Sequence, residues 1–229
     1  MDNAVLNRLK NAGLLSEHTT DMGFVSTGSY ALNKVISGDY TKGIPIGMIT
    51  QFHGEASTAK TVFATHILKE AQAEGYYTML VESENAYNPE FARSLGIDPE
   101  KLIYAAPETL EDCFQVIEDT IVAIRETDKD TPIVVAYDSI AVSPSKAEYE
   151  AENYEGNNMQ GAVRAKSTGA CLRKINPLMR KHKVALIVIN QIRNKVGVMY
   201  GSPDTMAAGG KSLEYYLGVN LKTISNKTS

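Results

Sequence analysis

An α/β fold, a mostly parallel twisted sheet with helices on both faces, is the architecture this sequence predicts. Three observations carry it. Apolar runs of strand length alternate with stretches of helical periodicity, the pattern of a parallel sheet covered on both sides. The first such strand and helix are joined by Gly54-Glu55-Ala56-Ser57-Thr58-Ala59-Lys60-Thr61, a near-match to a phosphate-binding loop. Polar residues then follow the ends of successive runs: Glu82 and Glu84, Asp138, and Gln191. In a parallel sheet those ends share one edge, where ligands collect.

At 229 residues and 43% hydrophobic, the chain can bury one substantial core. Residues 1–22 are expected to form an N-terminal arm. Its Leu6, Leu9, Leu14 and Leu15 make a short amphipathic stretch suited to this core or to a neighbouring subunit. Residues 23–229 then form the core. Ser26-Thr27-Gly28-Ser29 caps a helix through Ala31, Leu32, Val35 and Ile36 that stops near Gly38. Ile46 to Phe52 is a buried strand leading into the loop. Thr61 to Glu74 is the helix after it, with Val62, Phe63, His66, Ile67 and Ala71 on one side and Gly75 as its stop.

Tyr77 to Val81 is the next strand, and Asn88 to Leu95 a brief helix ended by Gly96. Thr109 to Glu126 keeps the amphipathic rhythm through Leu110, Cys113, Phe114, Ile117, Ile121 and Ile124. Pro132 to Tyr137 is a buried strand running into Asp138. A polar loop through Met159 precedes a long basic helix over Ala162 to Lys181. Val184 to Ile189 is a further strand, ending at Asn190-Gln191, and a loop follows from Arg193 to Gly210.

No run approaches the ~18 apolar residues of a membrane span, and the N-terminus lacks the apolar core of a secretion signal. Cys113 and Cys171 both fall in helical patterns, which points to reduced thiols and a cytoplasmic setting. The four histidines show no metal-ligand spacing.

The loop carries the first chemistry. Strand, loop and helix bring backbone N–H groups and a helix N-terminus together on a phosphate. Gly54 opens the loop, Lys60 would reach the terminal phosphates, and the Thr61 hydroxyl would ligate Mg²⁺. Ala59 stands where the pattern has glycine. Its Cβ is acceptable if φ is negative and costly if φ is positive. Asp138, at the end of an apolar run, is a second Mg²⁺ ligand, direct or through water. Either Glu82 or Glu84 could polarise an attacking water, and alternation puts both on one side of the strand. Gln191 cannot act as a base, but its amide can bond a γ-phosphate. The expected chemistry is Mg²⁺-dependent ATP hydrolysis by in-line attack.

Charge is segregated. Between Gly156 and Pro203 there are nine Lys/Arg and no Asp or Glu; with an overall net charge of −4, that leaves −13 on the rest. Such a segment fits a polyanion footprint on an otherwise acidic body.

These residues, in this order, resemble the RecA-type recombinases from about Val25 to Leu221. The most specific stretch is Asn190 to Gly210, which is similar to the strand-end glutamine and second DNA-binding loop of bacterial RecA. Ser26-Thr27-Gly28-Ser29, Glu84 to Arg93 and Asp138 to Pro144 match as well. Generic phosphate-loop ATPases share only the first element. The resemblance implies a RecA-like P-loop NTPase core that uses ATP and Mg²⁺. It makes Glu84, not Glu82, the catalytic carboxylate beside Lys60 and Gln191, and it puts Phe91 against adenine.

The resemblance also implies that the first DNA loop lies near Glu150 to Gly161, with Met159 or Gln160 near its tip. Lys166 and Arg173 then face the DNA backbone, with Arg193 also on the DNA side. Val196 wedges between bases, and Gly209, Gly210 and Lys211 approach phosphates. The implied partners are single-stranded DNA, homologous duplex DNA and further copies of the chain in a helical filament. The implied activity is homologous pairing and strand exchange by a DNA-dependent ATPase in the cytoplasm. The alternative is a weakly hydrolysing mediator on the same fold. Glu214 departs from the lysine of bacterial members, and family members continue through further strands and a C-terminal domain, so either a trimmed core or a naturally short homologue is expected. The variant loop and short arm resemble divergent, virus-encoded members.

Overall fold

The computed structural model describes residues 3–12, 22–84, 87–151, 158–193, 206–207 and 211–225. Helix α1 (Asn3–Asn11) comes first. The short antiparallel pair β1 (Phe24–Val25) and β2 (Ile44–Pro45) brackets α2 (Tyr30–Ser37). The Ser29 side chain caps α2 by accepting from Leu32 N–H, and Gly38 ends it with φ of 79°. β3 (Ile49–Gly54) leads through the phosphate-loop segment into α3 (Lys60–Ala73). β4 (Tyr77–Glu82), α4 (Pro89–Ser94), β5 (Leu102–Ala105) and α5 (Leu110–Thr127) follow, with Asn88 and Thr109 as side-chain caps. Then come β6 (Ile133–Asp138), α6 (Lys146–Tyr149), α7 (Asn158–Lys181) and β7 (Val184–Arg193). The last described elements are β8 (Met206–Ala207), α8 (Lys211–Glu214) and β9 (Leu217–Thr223).

Six strands pair in parallel in the order β5-β4-β6-β7-β3-β9, and β8 adds antiparallel to the end of β7. β6 up to Tyr137 and the first six residues of β7 read as continuous apolar runs because both faces are covered. On β6, Ile133, Val135 and Tyr137 face one core with α5 and α7, contributed by Ile117, Ile121, Leu172 and Met179. Val134 and Ala136 face the other core with Ile67, Leu68 and Ala71 of α3. β7 sorts its residues the same way.

Several boundaries differ from expectation. The first long strand starts at Ile49, not Ile46, because Gly47 turns the chain with φ of 83°. α3 buries Ala64, Ile67, Leu68 and Ala71, whereas Val62, Phe63 and His66 lie at the edge of that face. α7 begins at Asn158, which places Met159 and Gln160 in its first turn and not at a loop tip. Both are adequate helix formers, and nothing before Gly161 breaks the helix. β5 and β9 were not anticipated.

Candidate functional site

The parallel order brings the ends of β4, β6, β7 and β3 to one edge of the sheet, and register does the fine placement. Gly54 pairs with Gln191 across β3 and β7, and Glu82 pairs with Asp138 across β4 and β6.

Gly54 is required by crowding. A Cβ there would lie 2.3 Å from the Thr223 hydroxyl and 2.4 Å from its carbonyl oxygen. The Thr58 hydroxyl sits 2.6 Å from that of Thr223 and also donates to the Glu55 carbonyl, so β9 braces the loop. Ser57 and Ala59 adopt left-handed conformations, with φ of 60° and 64°. For Ala59 this is the costly alternative, since an L-residue loses ~1–2 kcal/mol in that region and glycine does not. Lys60 is buried, and its ammonium donates to the carbonyls of Glu55 at 2.6 Å and Gly54 at 3.2 Å. Burial lowers its pKa, against the pull of Asp138 and Glu84.

The Thr61 hydroxyl donates to Asp138 Oδ2 at 2.6 Å. Burial pushes the Asp138 carboxyl up to about 6, and the neighbouring Glu84 and Glu82 charges add to the effect. Two hard oxygens meeting beside a desolvated carboxylate suit Mg²⁺, which commonly takes one or two protein oxygens and completes its shell with water and phosphate. Among the described residues no cluster of three or more His, Cys, Asp or Glu could hold a metal alone.

The two candidate bases separate. Glu82 is buried, with Oε1 accepting from the Glu84 backbone N–H at 2.7 Å and Oε2 from the Tyr104 hydroxyl at 3.2 Å. Glu84 lies beyond the strand and is exposed. Its Oε1 accepts from Ser139 Oγ at 3.1 Å and from Gln191 Nε2 at 2.9 Å. A cleft of about 720 Å³, mouth included, runs from Thr61, Glu84 and Asp138 to Tyr87, Asn88 and Phe91. Phe91 is 51% exposed, available to stack on a base. Tyr104, Ser139 and Thr223 escaped the sequence reading; only the alternation of Leu217, Val219 and Leu221 hinted at the strand that ends in Thr223.

The family described as RecA N-terminal domain matches residues 10–228. The chain belongs to the RecA family. Protein RecA of Chlorobium chlorochromatii is 39% identical over 197 residues, 86% of this chain and 52% of that protein. Protein RecA of Symbiobacterium thermophilum is 37% identical over 204 residues, 89% of this chain and 55% of that protein. The chain thus spans about half the length of the curated relatives it matches.

The fold accordingly is a RecA-like α/β core. Away from the cleft, Lys166 and Arg173 lie exposed, seven residues apart and therefore on one side of α7. Three other cations of the basic segment are neutralised by distant acids: Arg164 by Glu148, Lys174 by Glu118 and Lys183 by Asp130. The free charge of that segment is smaller than its composition implies. Arg193 ends β7 and pairs in register with Met206, and Lys211 opens α8. Val196, Gly209 and Gly210 lie outside the described residues. No helix among the described residues is long and apolar enough to cross a membrane.

Two outcomes are expected. Ala59→Gly should stabilise the protein by about 1 kcal/mol, read as a rise in Tm of about 2–4 °C. The contribution of Asp138 to stability is present below its ordinary value of 3.8 and lost as pH rises through about 6, because the folded state penalises the charged form. Asp138→Asn should remove that part of the pH dependence in thermal melts recorded without nucleotide, and added Mg²⁺ should shrink it in the parent.

Proposed function

We propose that this chain is the ATP-dependent, single-stranded DNA-binding core of a homologous recombinase. The observation that carries it is the position of Gln191. It stands in register beside Gly54, bonds Glu84, and is two residues from Arg193, where the chain enters the segment resembling a DNA-binding loop.

In this reading the Gly54–Thr61 loop cradles ATP, with Lys60 leaving its carbonyl partners for the terminal phosphates. Phe91 stacks on the adenine. Mg²⁺ held by Thr61 and Asp138 would supply charge neutralisation on those phosphates. Glu84 accepts the proton of the attacking water. Gln191 exchanges Glu84 for the γ-phosphate, and that exchange changes where β7 delivers the following segment. Lys166, Arg173 and Arg193 contact the DNA backbone; Val196, Gly209, Gly210 and Lys211, with Met159 or Gln160 from the start of α7, complete the surface. Such contacts bind single strands without sequence preference.

Residues 1–22 serve as an arm to the neighbouring subunit, and residues 23–229 as the core. Copies assemble head to tail into an open helical filament that pairs the bound strand with homologous duplex in the cytoplasm. A second reading, a weakly hydrolysing mediator, is favoured by one observation: the left-handed conformation of Ala59.

The test is steady-state ATP hydrolysis with and without single-stranded DNA. The first reading expects strong DNA stimulation. Nucleotide binding without stimulated turnover in the parent, with turnover restored in Ala59→Gly, would favour the mediator. Glu84→Gln should retain ATP binding while turnover falls at least about a hundredfold. Arg173→Ala should weaken single-strand binding and reduce the slope of log K against log salt by about one; equal slopes would remove Arg173 from the DNA path.

A further inference from the structure

Glu82 has a buried carboxylate that the reaction above does not use. A buried carboxylate is costly unless its oxygens are bonded, and both oxygens of Glu82 have partners. Oε1 takes the backbone N–H of Glu84, two residues on, and so closes a tight turn at the end of β4. Ser83, inside that turn, is tied to β6: its N–H donates to the Asp138 carbonyl and its hydroxyl to the Ser139 carbonyl. The turn brings the Glu84 side chain within reach of Ser139 Oγ and Gln191 Nε2.

Oε2 of Glu82 takes the Tyr104 hydroxyl from the neighbouring strand β5. The Tyr104 ring stacks on Tyr87, with centroids 4.7 Å apart and planes 23° apart. Tyr87 lines the cleft next to Asn88 and Phe91. A continuous set of contacts therefore runs from the base-binding end of the cleft, through Tyr87, Tyr104 and Glu82, to the backbone of Glu84.

We propose that Glu82 and Tyr104 are positioning residues that hold Glu84 in its reactive orientation and tie that orientation to the Tyr87 side of the cleft. The proposal rests on Glu84 acting as the base. A merely structural role predicts otherwise: loss of the Tyr104 hydroxyl would leave Oε2 of the buried Glu82 carboxylate without that donor and lower Tm, with kcat unchanged.

The decisive variant is Tyr104→Phe, which keeps the ring stack and removes only the donor. In the DNA-stimulated ATPase, kcat should fall about five- to tenfold, the effect of one lost alignment bond. KM and affinity for a non-hydrolysable ATP analogue should stay close to the parent values, while Tm should fall by a few degrees from the donor lost to the buried Glu82 carboxylate. Glu82→Gln, which keeps an acceptor for the Glu84 N–H, should lose less activity than Glu82→Leu. Independently of turnover, the ¹³C carboxyl resonance of Glu84, assigned with Glu84→Gln, should shift in Tyr104→Phe. An unchanged kcat together with an unchanged resonance would overturn the proposal, as would a loss expressed in KM alone. Where the parent shows no turnover, the resonance alone decides. Retained turnover in Glu84→Gln would instead remove Glu84 as the base, whatever Tyr104→Phe does.

Discussion

β3 lies between β7 and β9, and that parallel pairing governs most of what the site can do. On one side it presses Gly54 against Thr223, leaving no room for a side chain. On the other it brings Gly54 level with Gln191. The phosphate loop and the γ-phosphate contact of the proposed mechanism thus share one hydrogen-bonded ladder. A register slip of one residue would turn Gln191 to the opposite face, so the cores that lock β7 also fix the site. Buried amides reinforce the ladder: Asn190 donates to Gln51, and Gln51 donates to Asn220 of β9.

Much of this was legible because it is local. Runs such as Val184 to Ile189 announce themselves by being apolar on both faces, and the caps at Ser29, Asn88 and Thr109 come from side chains that bond within three residues. β5 and β9 were missed for opposite reasons. β5 has four residues, too few for a period, and β9 alternates at the sheet edge, with its exposed positions polar or glycine.

The site was legible in composition and less so in orientation. Alternation along a straight strand put Glu82 and Glu84 on one side, but the strand ends between them. The Glu82–Glu84 turn is what separates a buried acceptor from an exposed carboxylate. The basic segment carries less free charge than its composition implies because three counter-charges, Glu118, Asp130 and Glu148, come from earlier elements. Ala59 depended on a single dihedral angle, which composition does not reveal.

Satisfied hydrogen bonds also shape the energetics of ligand binding. Lys60 bonds loop carbonyls, Thr61 bonds Asp138, and Gln191 bonds Glu84. A nucleotide must exchange these contacts for its own, so each exchange yields only the difference between two bonds, typically ~1 kcal/mol or less. Affinity must then come from many simultaneous contacts and from relief of the desolvated Asp138 charge. The Gln191–Glu84 bond has a further consequence. The amide that would meet the γ-phosphate and the carboxylate that would activate water hold each other, so engaging either group disturbs the other. That reciprocity gives the cleft a direct physical route from phosphate occupancy to β7 and to the segment that follows it.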